Sequence, residues 1–170
     1  LLPPLYGEGY TTITALLGGN TDALVENTFF YHLKDNNLLI LGFLLLLIAF
    51  KVIATAATNG SGGVGGIFAP TLFTGGVAGF FMARLLNSLG WVNLPESHFT
   101  LAGMAALMAG VMHAPLTAIF LIAEITNGYA MFVPLILTST VSSLTIMYFE
   151  PHSFYTKKKK KKGELLTHHK

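Results

Sequence analysis

Apolar residues occupy this chain in long uncharged stretches. Runs without Asp, Glu, Lys or Arg cover residues 36–50, 52–83, 97–123 and 125–149. A helix that crosses a bilayer needs about 20 apolar residues, so these runs predict membrane helices. Helix-breaking residues interrupt the runs at Gly62, Gly63, Gly65, Gly66, Pro70, Pro115 and Pro134. Such breaks are tolerated in a bilayer only where they are buried in protein or line a polar cavity. The pattern therefore predicts an all-α, polytopic membrane protein with broken, tilted helices.

The hydropathy pattern and the turn residues together predict the order of the elements. A polar region covers residues 1–35, with a short helix at 11–17. Longer helices are expected at 38–57, 67–87, 99–111, 115–126 and 131–149, and a short one begins at Ser153. A glycine-rich loop is predicted at 58–66 and an interfacial loop at 88–98. Lys51, inside the first long helix, is expected to extend its ammonium group to the membrane surface.

Composition supports an integral membrane protein. The chain has 170 residues, of which 52% are apolar and 11% charged, and its mean hydropathy is +0.61. Soluble domains carry roughly 25% charged residues. The absence of cysteine excludes a disulfide scaffold, and the high hydrophobicity excludes intrinsic disorder.

Basic residues are concentrated at one end of the chain. The lysines at 157–162 and Lys170 supply seven of the ten basic residues. No basic face recurs through the body, so nucleic-acid binding is not expected. The positive-inside rule favours a cytoplasmic tail. We therefore predict a membrane unit at 1–156 and a basic tail at 157–170, which either contacts anionic lipid or is simply solvated.

The glycine-rich loop carries the most informative pattern. Gly60, Gly62 and Gly65 fit G-x-G-x-x-G, which can indicate a dinucleotide fold. An apolar helix precedes them instead of a strand, and residues 80–90 contain no acid to bind a ribose. The pattern is better interpreted as a loop that leads into a helix beginning at Ile67.

A helix start of this kind can bind an anion. Its first N–H groups lack intrahelical acceptors and lie at the positive end of the helix dipole. Neutral donors would let an anion bind and leave, as conduction requires. Close helix packing is the alternative role for small residues, and we expect it for Gly75, Gly76 and Gly79.

Three segments resemble one family. The stretches GSGGVGGIFAP (60–70), GMAALMAGVMHAPLTAIFLIAEITNGY (103–129) and PHSFYT (151–156) are similar to motifs of the CLC voltage-gated chloride channels and chloride/proton antiporters. The resemblance implies one half, the C-terminal half, of an inverted-repeat membrane domain. It also implies that the N-terminal half is missing here and that the tail leads toward a region that holds CBS domains in many members.

The resemblance implies a site and a function. The family's anion site would place chloride at Gly66, Ile67 and Phe68, with the hydroxyl of Tyr155 as a further donor. The alternative for Tyr155 is an interfacial belt residue. A homodimer in the plasma or inner membrane is implied, with no cofactor and no metal. The family's gating and proton glutamates belong to the other half, so the choice between channel and antiporter stays open.

Two ionisable residues inside the apolar runs have alternative roles. Glu124 is a candidate for gating or proton transfer, or for a structural hydrogen bond near a helix end. His113 is a candidate for proton transfer, or for satisfying backbone groups at the break before Pro115. An enzyme would need paired acid–base or metal-binding groups, which these two residues do not supply, so no enzyme is expected. A non-transporting membrane scaffold with a lipid-binding basic tail is the alternative function.

A run of small hydroxyl residues marks the last long helix. These residues can mediate contacts between helices in lipid or bond back to their own helix. In the resembling family the matching helices contribute to the dimer interface. The interface candidates are Ser139, Thr140, Ser142, Ser143 and Thr145.

Overall fold

Six helices make up the part of the chain that the structure, a computed structural model, describes. That part covers residues 10–18, 37–61, 66–90, 92–126 and 129–150, and it contains no strand. The predicted all-α fold is therefore confirmed. In chain order the helices are α1 (Tyr10–Leu17), α2 (Asn37–Gly60), α3 (Phe68–Ser88), α4 (Glu96–Met112), α5 (Pro115–Ile125) and α6 (Phe132–Phe149).

The helices have the lengths and surfaces of a membrane protein. Within the described ranges, α2, α3 and α6 are long and apolar enough to cross a bilayer, and α5 is a shorter apolar helix. Large apolar side chains also cover much of the outside, including Ile53, Leu116 and Leu144. An apolar exterior of this extent fits contact with lipid or with further protein.

Helix α4 lies at the centre of the packing. It contacts α1, α3, α5 and α6, and α2 packs against α3. The large, fully buried side chains of the core include Leu44, Phe73, Phe80, Met104, Met108 and Ile122. Helix α3 is therefore enclosed between α2 and α4, and this arrangement fixes where its N-terminal end lies.

Glycines bring the main chains of α3 and α4 into direct contact. A Cβ atom built on Gly79 would overlap the carbonyl group of Phe99, and one on Gly103 would overlap the carbonyl oxygen of Gly75. A Cβ on Gly75 would lie 2.6 Å from the Gly103 oxygen. The predicted close packing is confirmed for Gly75 and Gly79, where only hydrogen atoms fit, and Gly76 packs closely against the side chain of Met104, 3.2 Å from where a Cβ atom would lie.

Two predicted helix boundaries are wrong by about one turn. Helix α2 continues to Gly60, because the N–H group of Ser61 still bonds to the carbonyl of Ala57 at 2.9 Å. Helix α4 begins at Glu96 and not at residue 99, directly after Pro95. The carboxylate of Glu96 lies in the first turn of α4, where negative charge is favourable, and it pairs with Arg84 at 3.4 Å.

The prediction that Lys51 reaches the membrane surface is also wrong. The side chain is only 5% exposed, and its ammonium nitrogen lies 4.9 Å from the centroid of the Phe73 ring. A desolvated cation over an aromatic face gains about 2 kcal/mol, which offsets part of the cost of burying the charge. The sequence showed the charge within α2 but not the ring supplied by α3.

We predict that Gly79→Ala destabilises the chain, because the added methyl group must displace the main chain of Phe99. Overpacking of this kind costs about 1–3 kcal/mol. Gly42→Ala is the matched control, since a Cβ atom at this exposed position in α2 meets nothing within 4 Å. Thermal unfolding in detergent should show a lower stability for Gly79→Ala. The free energy of unfolding of Gly42→Ala should rise by about 0.5–1 kcal/mol. Equal midpoints would contradict the main-chain contact.

Candidate anion-binding site

The N-terminal end of α3 leaves main-chain donors free. Ile67 is its N-cap residue, and the first helical bond runs from the N–H group of Thr71 to the carbonyl of Ile67 at 3.1 Å. The N–H groups of Phe68 and Ala69 therefore have no acceptor within the helix. Pro70 has no N–H group to lose. Among the described residues no side chain caps this end, so its donors are available to a ligand.

Gly66 keeps the approach to these donors open. The residue is exposed, and a Cβ atom built on it would meet nothing within 4 Å. Packing within the described ranges therefore does not require glycine at this position. Absence of a side chain instead leaves room beside the N–H groups that follow.

A groove with a volume of about 570 Å³ borders this helix start. One wall comes from the last turns of α2, a second from the first turns of α3, and a third from α4. None of the described residues that line it carries a charged side chain. The lining residues are Val52, Thr55, Ala56, Asn59, Gly60, Ile67, Pro70, Thr71, Thr74, Leu107 and Val111.

The structure places part of the predicted site at this groove. Ile67 lines it, and Gly66 precedes Ile67 in the chain. Phe68 turns its ring toward the hydrophobic core, so only its main chain can serve a ligand. Tyr155 lies outside the described residues, as do Gly62, Gly63 and Gly65. The assignment of the anion to Gly66, Ile67, Phe68 and Tyr155 stays a prediction.

The α2 wall of the groove was missed by sequence analysis. Val52, Thr55, Ala56 and Asn59 recur at spacings of three and four residues, which places them on one face of a helix. The spacing would have indicated this face of the helix if α2 had been predicted to extend beyond residue 57. The predicted loop at 58–66 hid Asn59, because it removed the last turn of α2.

Glu124 lies near a helix end, as predicted. It is the penultimate residue of α5, and its side chain is exposed. Within the described ranges its carboxylate takes part in no ion pair or hydrogen bond. The groove lining does not include Glu124. Both of its proposed roles stay predictions.

His113 occupies the break between α4 and α5. Its backbone is left-handed, with φ 55° and ψ 33°, and it ends α4. Its Nε2 atom lies 3.0 Å from the carbonyl oxygen of Glu150, just beyond the end of α6. Since that oxygen can only accept, Nε2 carries the proton in this contact. The contact ties the break to the end of α6, which supports the structural role for His113.

The hydroxyl residues of α6 divide between two environments. Ser142 donates to the carbonyl of Ala106 at 2.6 Å and so joins α6 to α4. Ser139 and Ser143 are buried. Thr145 bonds back to the carbonyl of Val141 at 2.7 Å, and Thr140 is exposed. The serines thus lie inside the subunit, and only the threonines remain on the outer face.

A metal site does not form among the described residues. No group of three or more His, Cys, Asp or Glu side chains there could hold an ion. The candidate site is therefore a neutral groove beside an uncapped helix start, enclosed by apolar helices.

Several apolar helices, three of them long enough to cross a bilayer, place the described part of the chain in the class of polytopic membrane proteins. The family model described as "Voltage gated chloride channel" matches residues 1–146. The chain belongs to this family, and the resemblance drawn from its sequence motifs is confirmed.

Curated relatives agree with the family match. An H(+)/Cl(-) exchange transporter ClcA from Vibrio cholerae serotype O1 is 41% identical over 141 residues, which is 81% of this chain and 26% of the relative. The voltage-gated ClC-type chloride channel ClcB of Salmonella dublin is 31% identical over 161 residues, or 91% and 33% of the two chains. The chloride channel protein CLC-e of Arabidopsis thaliana is 38% identical over 128 residues, or 69% and 17%. The chain thus spans a third or less of the length of these relatives.

We predict that His113→Asn loosens the end of α6. Asparagine tolerates the left-handed backbone, but its side chain is too short to reach the Glu150 carbonyl. Loss of one such bond costs about 0.5–1.5 kcal/mol, so the amide of Glu150 should exchange its hydrogen up to roughly tenfold faster. His98→Asn, at an exposed position in α4, is the control. Unchanged exchange in His113→Asn would rule out the link.

Proposed function

We propose that this chain forms the C-terminal half of the membrane domain of a chloride transporter, acting as a channel or as a chloride/proton antiporter. The family match and the names of the relatives support chloride as the transported ion. We further propose that the remaining half of the domain is supplied by upstream sequence, since the chain covers 26% of the exchange transporter from Vibrio cholerae. The tail at 157–170 is cytoplasmic in this proposal.

The observation that carries this proposal is the uncapped start of α3 beside the groove. A chloride ion that leaves water loses strong hydration and needs donors to replace it. The N–H groups of Phe68 and Ala69 lack helical acceptors, and a helix N-terminus bears a partial positive charge of roughly half a unit. Partial charges offset the lost hydration without holding the ion permanently.

Tyr155 is proposed as the second donor, on the basis of the family motif. A tyrosine hydroxyl is a neutral donor on a rigid ring. It would contribute a hydrogen bond from outside α3, and it would narrow the cytoplasmic side of the path. Both kinds of donor to the ion, the main-chain N–H groups at the α3 start and the hydroxyl of Tyr155, would then be uncharged.

In the family's pattern, the acidic residues that couple chloride transport to proton transport belong to the other half of the membrane domain. Glu124 is the candidate within this chain, since it is an exposed acid at the end of an apolar helix. The proposal of chloride transport holds whether the protein acts as a channel or as an antiporter. A non-transporting scaffold remains the alternative function, and a flux measurement separates the two.

We also propose that the protein forms a homodimer through α5 and α6. The two helices contact each other, and the rings of Phe120 and Phe132 join them with centroids 5.8 Å apart. Each helix leaves a continuous apolar side uncovered, at Leu116 and Phe120 of α5 and at Val133, Leu137, Val141 and Leu144 of α6. A second copy would cover these side chains with closely packed protein.

Chloride flux tests the transport proposal in proteoliposomes that contain the complete transporter. We predict that Tyr155→Ala lowers the flux by roughly tenfold or more, because a hydrogen bond to a charged group contributes about 1.5–3 kcal/mol. Gly66→Leu should lower the flux to a similar extent, because its side chain would fill the open space beside the N–H groups of the α3 start. Gly42→Leu is the control, since its position is open and distant in sequence from the groove. A wild-type protein that carries no chloride would favour the scaffold. Normal flux in both variants would contradict the site assignment.

Cross-linking tests the dimer. The chain contains no cysteine, so an introduced thiol has no background from this half. Leu137→Cys, at a position 61% exposed, should form a disulfide-linked dimer under mild oxidation. Ser139→Cys is the control, because this position is fully buried within the subunit. Cross-linking at neither position, with intact folding, would place the interface elsewhere.

A further inference from the structure

The walls of the groove carry few side-chain hydrogen-bond donors. Of its lining residues, only Thr55, Asn59, Thr71 and Thr74 have polar side chains. An anion in the groove can be bound by N–H or O–H hydrogens, and not by oxygen lone pairs. Which of the four residues has a hydrogen to offer therefore decides which of them can act as a ligand.

All three threonines already use their hydroxyl hydrogen. Thr55 donates to the carbonyl of Lys51 at 2.8 Å, Thr71 to that of Ile67 at 2.6 Å, and Thr74 to that of Pro70 at 2.7 Å. A hydroxyl has a single hydrogen, so each threonine presents lone pairs to the groove. Lone pairs repel an anion unless the hydroxyl first gives up its bond to the helix.

Asn59 is different. Its side chain is half-buried in the last turn of α2 and lines the same groove as Ile67. Within the described ranges its carboxamide makes no hydrogen bond, so no residue there occupies its two amide hydrogens. The residue lies on the α2 wall, whereas Ile67, which directly precedes the uncapped N–H groups of Phe68 and Ala69, lies on the α3 wall. An anion bound between the two walls would receive a donor from α2 in addition to those at the α3 start.

We propose that the side-chain amide of Asn59 is a ligand of the transported anion. The inference rests on the proposed function and adds to it a donor that does not belong to the glycine-rich motif. A carboxamide is uncharged, so it adds to the binding energy without fixing the ion in place. Asn59 is in this sense a determinant of anion affinity.

Four variants of the complete transporter test this proposal, with chloride binding measured by titration calorimetry and chloride flux measured over a range of concentrations. Asn59→Leu removes the donors at similar size, and we expect the chloride affinity to fall roughly tenfold. Asn59→Asp has the same shape but a negative charge, and it should lower the affinity further. Asn59→Gln keeps the amide and should retain most of the binding. Thr58→Val is the control, because Thr58 precedes Asn59 but is exposed and does not line the groove.

The outcomes separate the two proposals. Loss of affinity in Asn59→Leu and Asn59→Asp, with recovery in Asn59→Gln, supports Asn59 as a ligand. If Asn59→Leu fails to fold, comparison of the chloride affinities of Asn59→Asp and Asn59→Gln still decides whether Asn59 is a ligand. Unchanged affinity in the Asn59 variants, with a loss in Gly66→Leu, overturns Asn59 and leaves the proposed function intact. Lower protein stability at unchanged chloride affinity would assign Asn59 to packing against the other half, which also overturns the proposal. No chloride binding by the wild type would overturn both proposals.

Discussion

Contact between the main chains of α3 and α4 determines where the candidate site lies. Neighbouring helices in lipid gain little from the hydrophobic effect, so close packing between them supplies much of their attraction. At Gly75, Gly79 and Gly103 the two backbones approach so closely that no Cβ atom fits. This contact fixes the start of α3 against Leu107 and Val111 of α4, which form the third wall of the groove. A side chain at any of these glycines would move that wall away from the helix start.

The two breaks in the apolar helices are satisfied in different ways. At the end of α4, His113 adopts a left-handed backbone and binds the carbonyl of Glu150, so the break is stabilised by a contact within the subunit. At the start of α3 no side chain of the described residues caps the helix. Uncapped donors in an apolar medium are costly unless a ligand or water meets them. The contrast supports a structural role for His113 at the end of α4, and it agrees with the proposed binding role of the α3 start.

Local sequence signals predicted the helices and the close packing of α3, but not which side chains of different helices meet. The uncharged runs and the proline and glycine residues predicted the α3 start to within one residue, and the small residues of α3 predicted its close packing. Lys51 was misplaced because the Phe73 ring that it contacts comes from another helix. The α2 wall was missed for the same reason, since Asn59 faces the groove only in the folded chain. Tertiary neighbours, and not helix propensity, determined these positions.

None of the described residues that line the groove is charged, and in the proposed site such a lining would favour transport over tight binding. A lysine or arginine in an apolar cavity would attract chloride strongly, because attraction between opposite charges rises steeply as the dielectric constant falls. Release would then become slow. The one buried lysine among the described residues, Lys51, contacts Phe73 and does not line the groove. In the proposed site, neutral donors at the α3 start and the neutral amide of Asn59 would instead provide several weak contacts. An ion that is held by several weak contacts can exchange them one at a time with water, and this stepwise exchange is what passage through the membrane requires.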